Sequence, residues 1–140
     1  SGRTALHVAV GTSRPGRLDT VRALLDCGAD SDVRGDARLL NRMTPAMISA
    51  GRGDLEALEV LVGAGANIAL PDKLGRTPAM MAAKNGNIRV LSYLLRAGVD
   101  ADAEDSSGNT ATHYAAAYGW VECLKLLIRI GAQVDVKNAW

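Results

Sequence analysis

Two histidines, two cysteines and three tyrosines are the side chains of this 140-residue chain best suited to acid–base, nucleophilic or metal chemistry. His7 and His113 each stand three residues after a threonine, Thr4 and Thr110. A catalytic base needs a nucleophile or an acid held within hydrogen-bond reach, and no such pairing is legible around either. Cys27 and Cys123 lack the paired spacing of a zinc site and read as packing thiols. The carboxylates Asp19, Glu56, Glu59 and Glu122 fall at spacings that suit a solvated helix surface. No Gly-x-x-x-x-Gly-Lys-Ser/Thr loop is present to cradle a phosphate, and Gly11 to Gly16 reads as a turn. The sequence therefore predicts no enzyme, with no catalytic residue, no cofactor and no metal site. Arg-Gly-Asp occurs twice, at 34–36 and 52–54. The triplet is an adhesion motif, but Gly53 is needed by the repeat described next, so only the copy at Arg34 invites a test.

The elements that would carry these residues recur. Thr4, Thr44, Thr77 and Thr110 lie 40, 33 and 33 residues apart, a spacing that marks a repeat architecture. In the clearest copy Thr77 suits an N-cap, where its hydroxyl can accept an orphaned backbone N–H. Pro78 suits the first helical position, where its missing N–H costs nothing. Ala79, Ala82 and Ala83 permit close approach by a neighbour. Gly86 breaks the helix, and Ile88, Val90, Leu91, Tyr93, Leu94 and Leu95 restart an apolar face. Gly98 suits a C-terminal residue of positive φ. The polar run from Asp100 to Asn109 reads as a hairpin-like turn.

These residues resemble the ankyrin repeat, Gly-x-Thr-Pro-Leu-His-x-Ala-Ala followed by Leu-Leu-x-x-Gly-Ala-Asp. The first motif stands at Gly2 to Ala9, Thr44 to Met47, Gly75 to Gly86 and Gly108 to Ala116, and the second at Leu24 to Asp30, Gly65 to Asn67, Leu94 to Asp100 and Leu127 to Ala132. The resemblance covers the whole chain. It implies an all-α solenoid of four stacked helix-turn-helix units joined by β-hairpin-like loops, a single domain over 1–140 with repeats at about 1–37, 38–71, 72–104 and 105–140. It also implies that His7 and His113 are structural, bonding within and between repeats. Cys27 and Cys123 fall in the first and last units, too far apart along such a stack for a disulfide.

The departures locate a binding surface. The first unit carries three extra residues between its helices and four more between Gly28 and Thr44, where Leu39, Leu40 and Met43 either form an exposed apolar cluster or fold back. Arg42 stands where the pattern has glycine, and Met47 where it has histidine. Gly51 and Gly53 are expected to make the first helix of the second unit the weakest, and the third unit is expected to be the stability centre. Ankyrin domains generally grip partners on a concave side made of hairpin tips and first-helix positions. Carried over, that choice gives Arg3, Leu40, Met43, Arg52, Lys73, Leu74, Arg76, Lys84, Asn85, Asn109, Tyr114 and Tyr118 as partner-binding residues. Their basic groups form a stripe, with Arg38 and Arg42 nearby, and the tyrosines, four residues apart, share a helix face.

Charge and hydropathy bound the rest. Sixteen basic residues against fifteen acidic leave no bulk field for nucleic acid or a membrane surface, and no apolar run approaches the ~20 residues of a membrane span. The expectation is a non-catalytic scaffold or interaction module, intracellular in cytoplasm or nucleus, monomeric as an isolated segment, binding an acidic protein or peptide. Two alternatives stand beside it: a methyl-lysine or other cationic-ligand reader built from Tyr114, Tyr118 and Trp120, and a regulatory or targeting segment of a larger enzyme. The second helix of the fourth unit resembles an internal one, so the chain is expected to be part of a longer protein.

Overall fold

Each repeating threonine begins a helix for a local reason. The computed structural model describes residues 3–38 and 40–139; Leu39, with its share of the loop cluster, lies outside them, as do Ser1, Gly2 and Trp140. Eight helices occur among the described residues: α1 (Ala5–Gly11), α2 (Arg17–Asp26), α3 (Pro45–Arg52), α4 (Leu55–Gly63), α5 (Pro78–Lys84), α6 (Ile88–Arg96), α7 (Ala111–Ala117) and α8 (Val121–Arg129). Thr4, Thr44, Thr77 and Thr110 are the N-caps of the odd helices, and Pro45 and Pro78 sit in the first turn. The hydroxyls of Thr44 and Thr77 accept from the amides of Met47 and Met80 at 3.3 and 3.4 Å. Such a cap contributes about 1 kcal/mol.

Within each unit an odd helix packs on the even helix that follows it, and between units odd stacks on odd and even on even. The fold is therefore an all-α solenoid, and its core is one continuous seam. Ala50 and Ala83, fully buried, let consecutive odd helices approach closely, while Leu58, Leu61, Leu91, Leu94 and Leu127 fill the space behind them. Each such leucine contributes about 1.5–3 kcal/mol through area removed from water.

Side chains at the inter-helix turns stitch the units together. Asn87 Nδ2 donates to the carbonyls of Ala50 and Gly51, both at 2.9 Å. One unit later Trp120 Nε1 donates to the Lys84 carbonyl at 2.8 Å. Its indole lies on Gly86, where a Cβ would overlap the ring and where φ is +71°. In the other direction Arg17 donates to Asp54 Oδ2 through Nε and a terminal nitrogen, at 3.0 and 2.7 Å. Asp54 also caps α4 by accepting from Ala57 N at 3.1 Å.

The expected weakness of α3 is halved. Gly51 does lie inside the helix, but Gly53 closes it with φ of +73°, and its amide is bonded to Ala50 O at 3.2 Å. Glycine is the favoured residue at a left-handed C-cap.

Candidate functional site

Three hairpins link the units, and aspartates organise two of them. Asp72 Oδ1 accepts the amides of Leu74 and Arg76, both at 2.9 Å, and Asp105 Oδ1 accepts those of Ser107 and Asn109 at 2.8 and 2.9 Å. The matching backbone bonds run from Asp72 N to Arg76 O and from Asp105 N to Asn109 O, each 2.9 Å. In the first hairpin the same bond runs from Gly35 N to Met43 O, 3.0 Å, so Gly35 occupies the aspartate's place. The four-residue insertion lies between those two ends. Leu40 is 6% exposed and packs onto Gly35, where a Cβ would collide with it. An apolar plug thus stands where the other hairpins use a carboxylate. Of the two options for the loop cluster, Leu40 folds back, so its assignment as a partner-binding residue is corrected; Met43 is half-buried.

Neither Arg-Gly-Asp triplet is presented freely. A terminal nitrogen of Arg34 donates to Pro71 O at 2.7 Å and Gly35 is buried. In the second copy Asp54 is engaged by Arg17 and the α4 cap.

The hairpins also join edge to edge. Lys73 N donates to Asn41 O at 2.7 Å, Ser106 N to Leu74 O at 2.9 Å, and Ala139 N to Ser107 O at 2.9 Å. Lys73 and Leu74 are consequently held side by side at a tip, and both are exposed. Arg3 is exposed as well.

Several of the stripe's basic groups have internal work. Arg76 reaches Asp72 Oδ2 at 2.6 Å through a terminal nitrogen and 2.8 Å through Nε; the aspartate side chain is fully buried and the arginine 14% exposed. Arg52 donates to Ser13 Oγ at 2.6 Å in the enlarged turn of the first unit. It lines a cavity of about 420 Å³ with Arg17, Asp54, Glu56 and Arg89, a feature sequence reasoning missed because it spans three units. Lys84 is half-buried, with Nζ 5.6 Å from the centre of the Tyr118 ring, a separation at which cation–π attraction operates. Asn85 is exposed, and its Nδ2 donates to Met81 O at 2.9 Å.

The two tyrosines divide. Tyr118 is 54% exposed. Tyr114 is half-buried, and its hydroxyl donates to Asp105 Oδ2 at 2.7 Å, fastening α7 to the hairpin before it. Burial pushes the Tyr114 phenol above its ordinary pKa, and the hydrogen bond to Asp105 adds to that. For Asp105 burial works upward, but the bonds from Tyr114, Asn109 and Ser107 outweigh it and hold the carboxyl below its ordinary value. Asn109 is engaged twice over, by Asp105 and by Asn138 Nδ2 at 2.9 Å. Asn109, His113, Tyr114, Ala117, Tyr118 and Asn138 enclose a cleft of about 290 Å³. Trp120 is not among those residues, being stacked on Gly86, so the three aromatics do not converge as a cage.

The histidines perform structural work. Nδ1 of His7 accepts the Thr4 amide at 3.3 Å, which leaves the proton on Nε2, and Nε2 donates to Met43 O of the next unit at 2.9 Å. His113 Nδ1 accepts the Thr110 amide at 3.1 Å. Cys27 is exposed and Cys123 buried, both as free thiols. Among the described residues no three of His, Cys, Asp or Glu gather as metal ligands, and no helix is long and apolar enough to cross a membrane.

A family model described as ankyrin repeats (3 copies) matches residues 46–138, and one described as ankyrin repeat matches residues 1–36. No curated protein matches the chain.

Proposed function

The chain belongs to the ankyrin-repeat family, whose members are generally protein–protein interaction modules and typically non-catalytic, and from that premise we propose that it holds an acidic peptide or protein segment along its hairpin tips and the adjoining faces of its odd helices. The observation that carries the reading is the pairing of basic with apolar groups on that surface. Lys73 stands beside exposed Leu74, and Lys84 lies over exposed Tyr118. A carboxylate of the partner would meet the ammonium groups while an apolar side chain covers Leu74 or the tyrosine ring, the combination from which interface hot spots are built. Arg3 extends the same charge to the first unit. Arg76 acts from below, since its ion pair with Asp72 stiffens the hairpin that displays Lys73. The protein works as a monomer in this reading.

Capture from the native lysate tests it. The variant Lys73→Glu/Tyr118→Ala changes exposed side chains only, whereas Arg76→Glu would set two carboxylates against each other in a buried site. Partners held by wild type and released by the variant at an unchanged melting temperature are expected, with release also by added salt. Equal retention by both proteins would refute the assignment.

A further inference from the structure

Two residues other than glycine adopt a left-handed backbone among the described residues, and they are adjacent: Asn41 at φ +48° and Arg42 at φ +60°. Asparagine tolerates that region; arginine does so only at a cost, because its Cβ crowds the following carbonyl. The corresponding residues of the next two hairpins are Gly75 and Gly108, at φ +76° and +73°. The geometry of the repeat therefore calls for glycine at this position, and the second unit places an arginine there instead.

Nothing among the described residues uses that side chain. No hydrogen bond or ion pair engages the Arg42 guanidinium among the described residues, and the residue is exposed. The buried carboxylate of the adjoining hairpin, Asp72, is committed to Arg76. The backbone beside Arg42 is locked nonetheless, since the Asn41 carbonyl accepts from Lys73 N at 2.7 Å and Met43 N donates to Leu40 O at 2.8 Å. That first bond sets Arg42 next to the hairpin bearing Lys73. Strained backbone of this kind concentrates where function requires it.

We propose that Arg42 is a partner-binding residue, held in a conformation unfavourable to it so that its guanidinium, with the Lys73 ammonium, grips carboxylate side chains of an acidic segment. The proposal rests on the surface described under Proposed function and sharpens it. Arg42 supplies a planar, bidentate fork for a carboxylate, which a lysine at the same place cannot reproduce. Arg42 should thus lower stability and raise affinity, and the two effects separate by substitution.

The test measures melting temperature and the binding of a fluorescein-labelled hexaglutamate peptide, by anisotropy at low salt, for wild type, Arg42→Gly, Arg42→Asn and Lys73→Ala. Arg42→Gly is expected to melt about 2–4 °C higher and to bind about three- to fivefold more weakly. Arg42→Asn, which keeps a side chain tolerant of positive φ, should bind as weakly as the glycine variant, and Lys73→Ala should weaken binding at unchanged stability. Wild-type affinity retained by Arg42→Gly, or a lower melting temperature for it, would overturn the inference while leaving the wider surface standing. A wild-type chain that does not bind hexaglutamate would overturn the acidic-partner reading itself.

Discussion

Ser49 Oγ is buried with no hydrogen-bond partner among the described residues, in the middle of α3. The corresponding positions in the other units are Ala9, Ala82 and Ala115, all buried. A buried hydroxyl without a partner costs its desolvation, about 1–3 kcal/mol, and alanine removes the atom while leaving a void no larger than one oxygen. Ser49→Ala is expected to stabilise the chain by about 1 kcal/mol in urea unfolding, with an unchanged denaturant slope; a loss of stability would show that Ser49 packs or bonds in a way its surroundings do not suggest. At this scale the sequence was most informative where a role is local. A threonine, then a proline, then alanines announce a capped helix because the cap bond spans three residues. It was least informative where a side chain's partner lies a turn or a unit away. Asp72 and Asp105 recur at the repeat interval just outside the quoted motif, and their interval was the available signal. Their consequence, that Arg76 and Tyr114 are engaged rather than offered, depends on a hairpin geometry that spacing alone does not supply.

At the scale of elements, the hairpins are fastened to the helices by a few polar ties, and the tie between Tyr114 and Asp105 makes one of them dependent on pH. The tyrosine's pKa is raised on folding, so its contribution is complete below the unfolded value of about 10 and disappears as pH rises through the folded value. The aspartate's is lowered, so its contribution is complete above about 4 and disappears as pH falls through the folded value. Tyr114→Phe is therefore expected to be less stable than wild type at neutral pH by about 1 kcal/mol, with the gap narrowing above pH ~10 in chemical denaturation. A gap that stays constant across the alkaline range would mean that the phenol's proton is not tied to folding, and would contradict the hydrogen bond to Asp105 as its source. The long loop shows why element-level reading stopped where it did. Leu40 could have formed part of an apolar patch or folded back, and the choice turned on whether the hairpin had room for it. Gly35, standing where the other hairpins have aspartate, made that room.

For the molecule as a whole, a net charge of +1 conceals an uneven arrangement. Three acidic groups, Asp72, Asp105 and Asp54, are drawn into the hairpin interiors and the inter-helix turns. Basic groups at Arg3, Arg42 and Lys73 remain exposed on the hairpin side. The stack was legible from the repeat interval because each unit contacts only its neighbours, so one well-read unit stood for four. The surface was only partly legible, because Arg52 and Arg76 count as positive in the sequence yet are engaged in the folded chain. The central claim, an acidic segment on the hairpin and odd-helix surface, is tested most directly by selecting a displayed library of random peptides on the wild-type chain at moderate salt. The account predicts a consensus rich in Asp and Glu around one or two apolar positions, with the selected peptides losing affinity for Lys73→Glu/Tyr118→Ala. A neutral or basic consensus, or peptides that bind the variant as well as wild type, would contradict it.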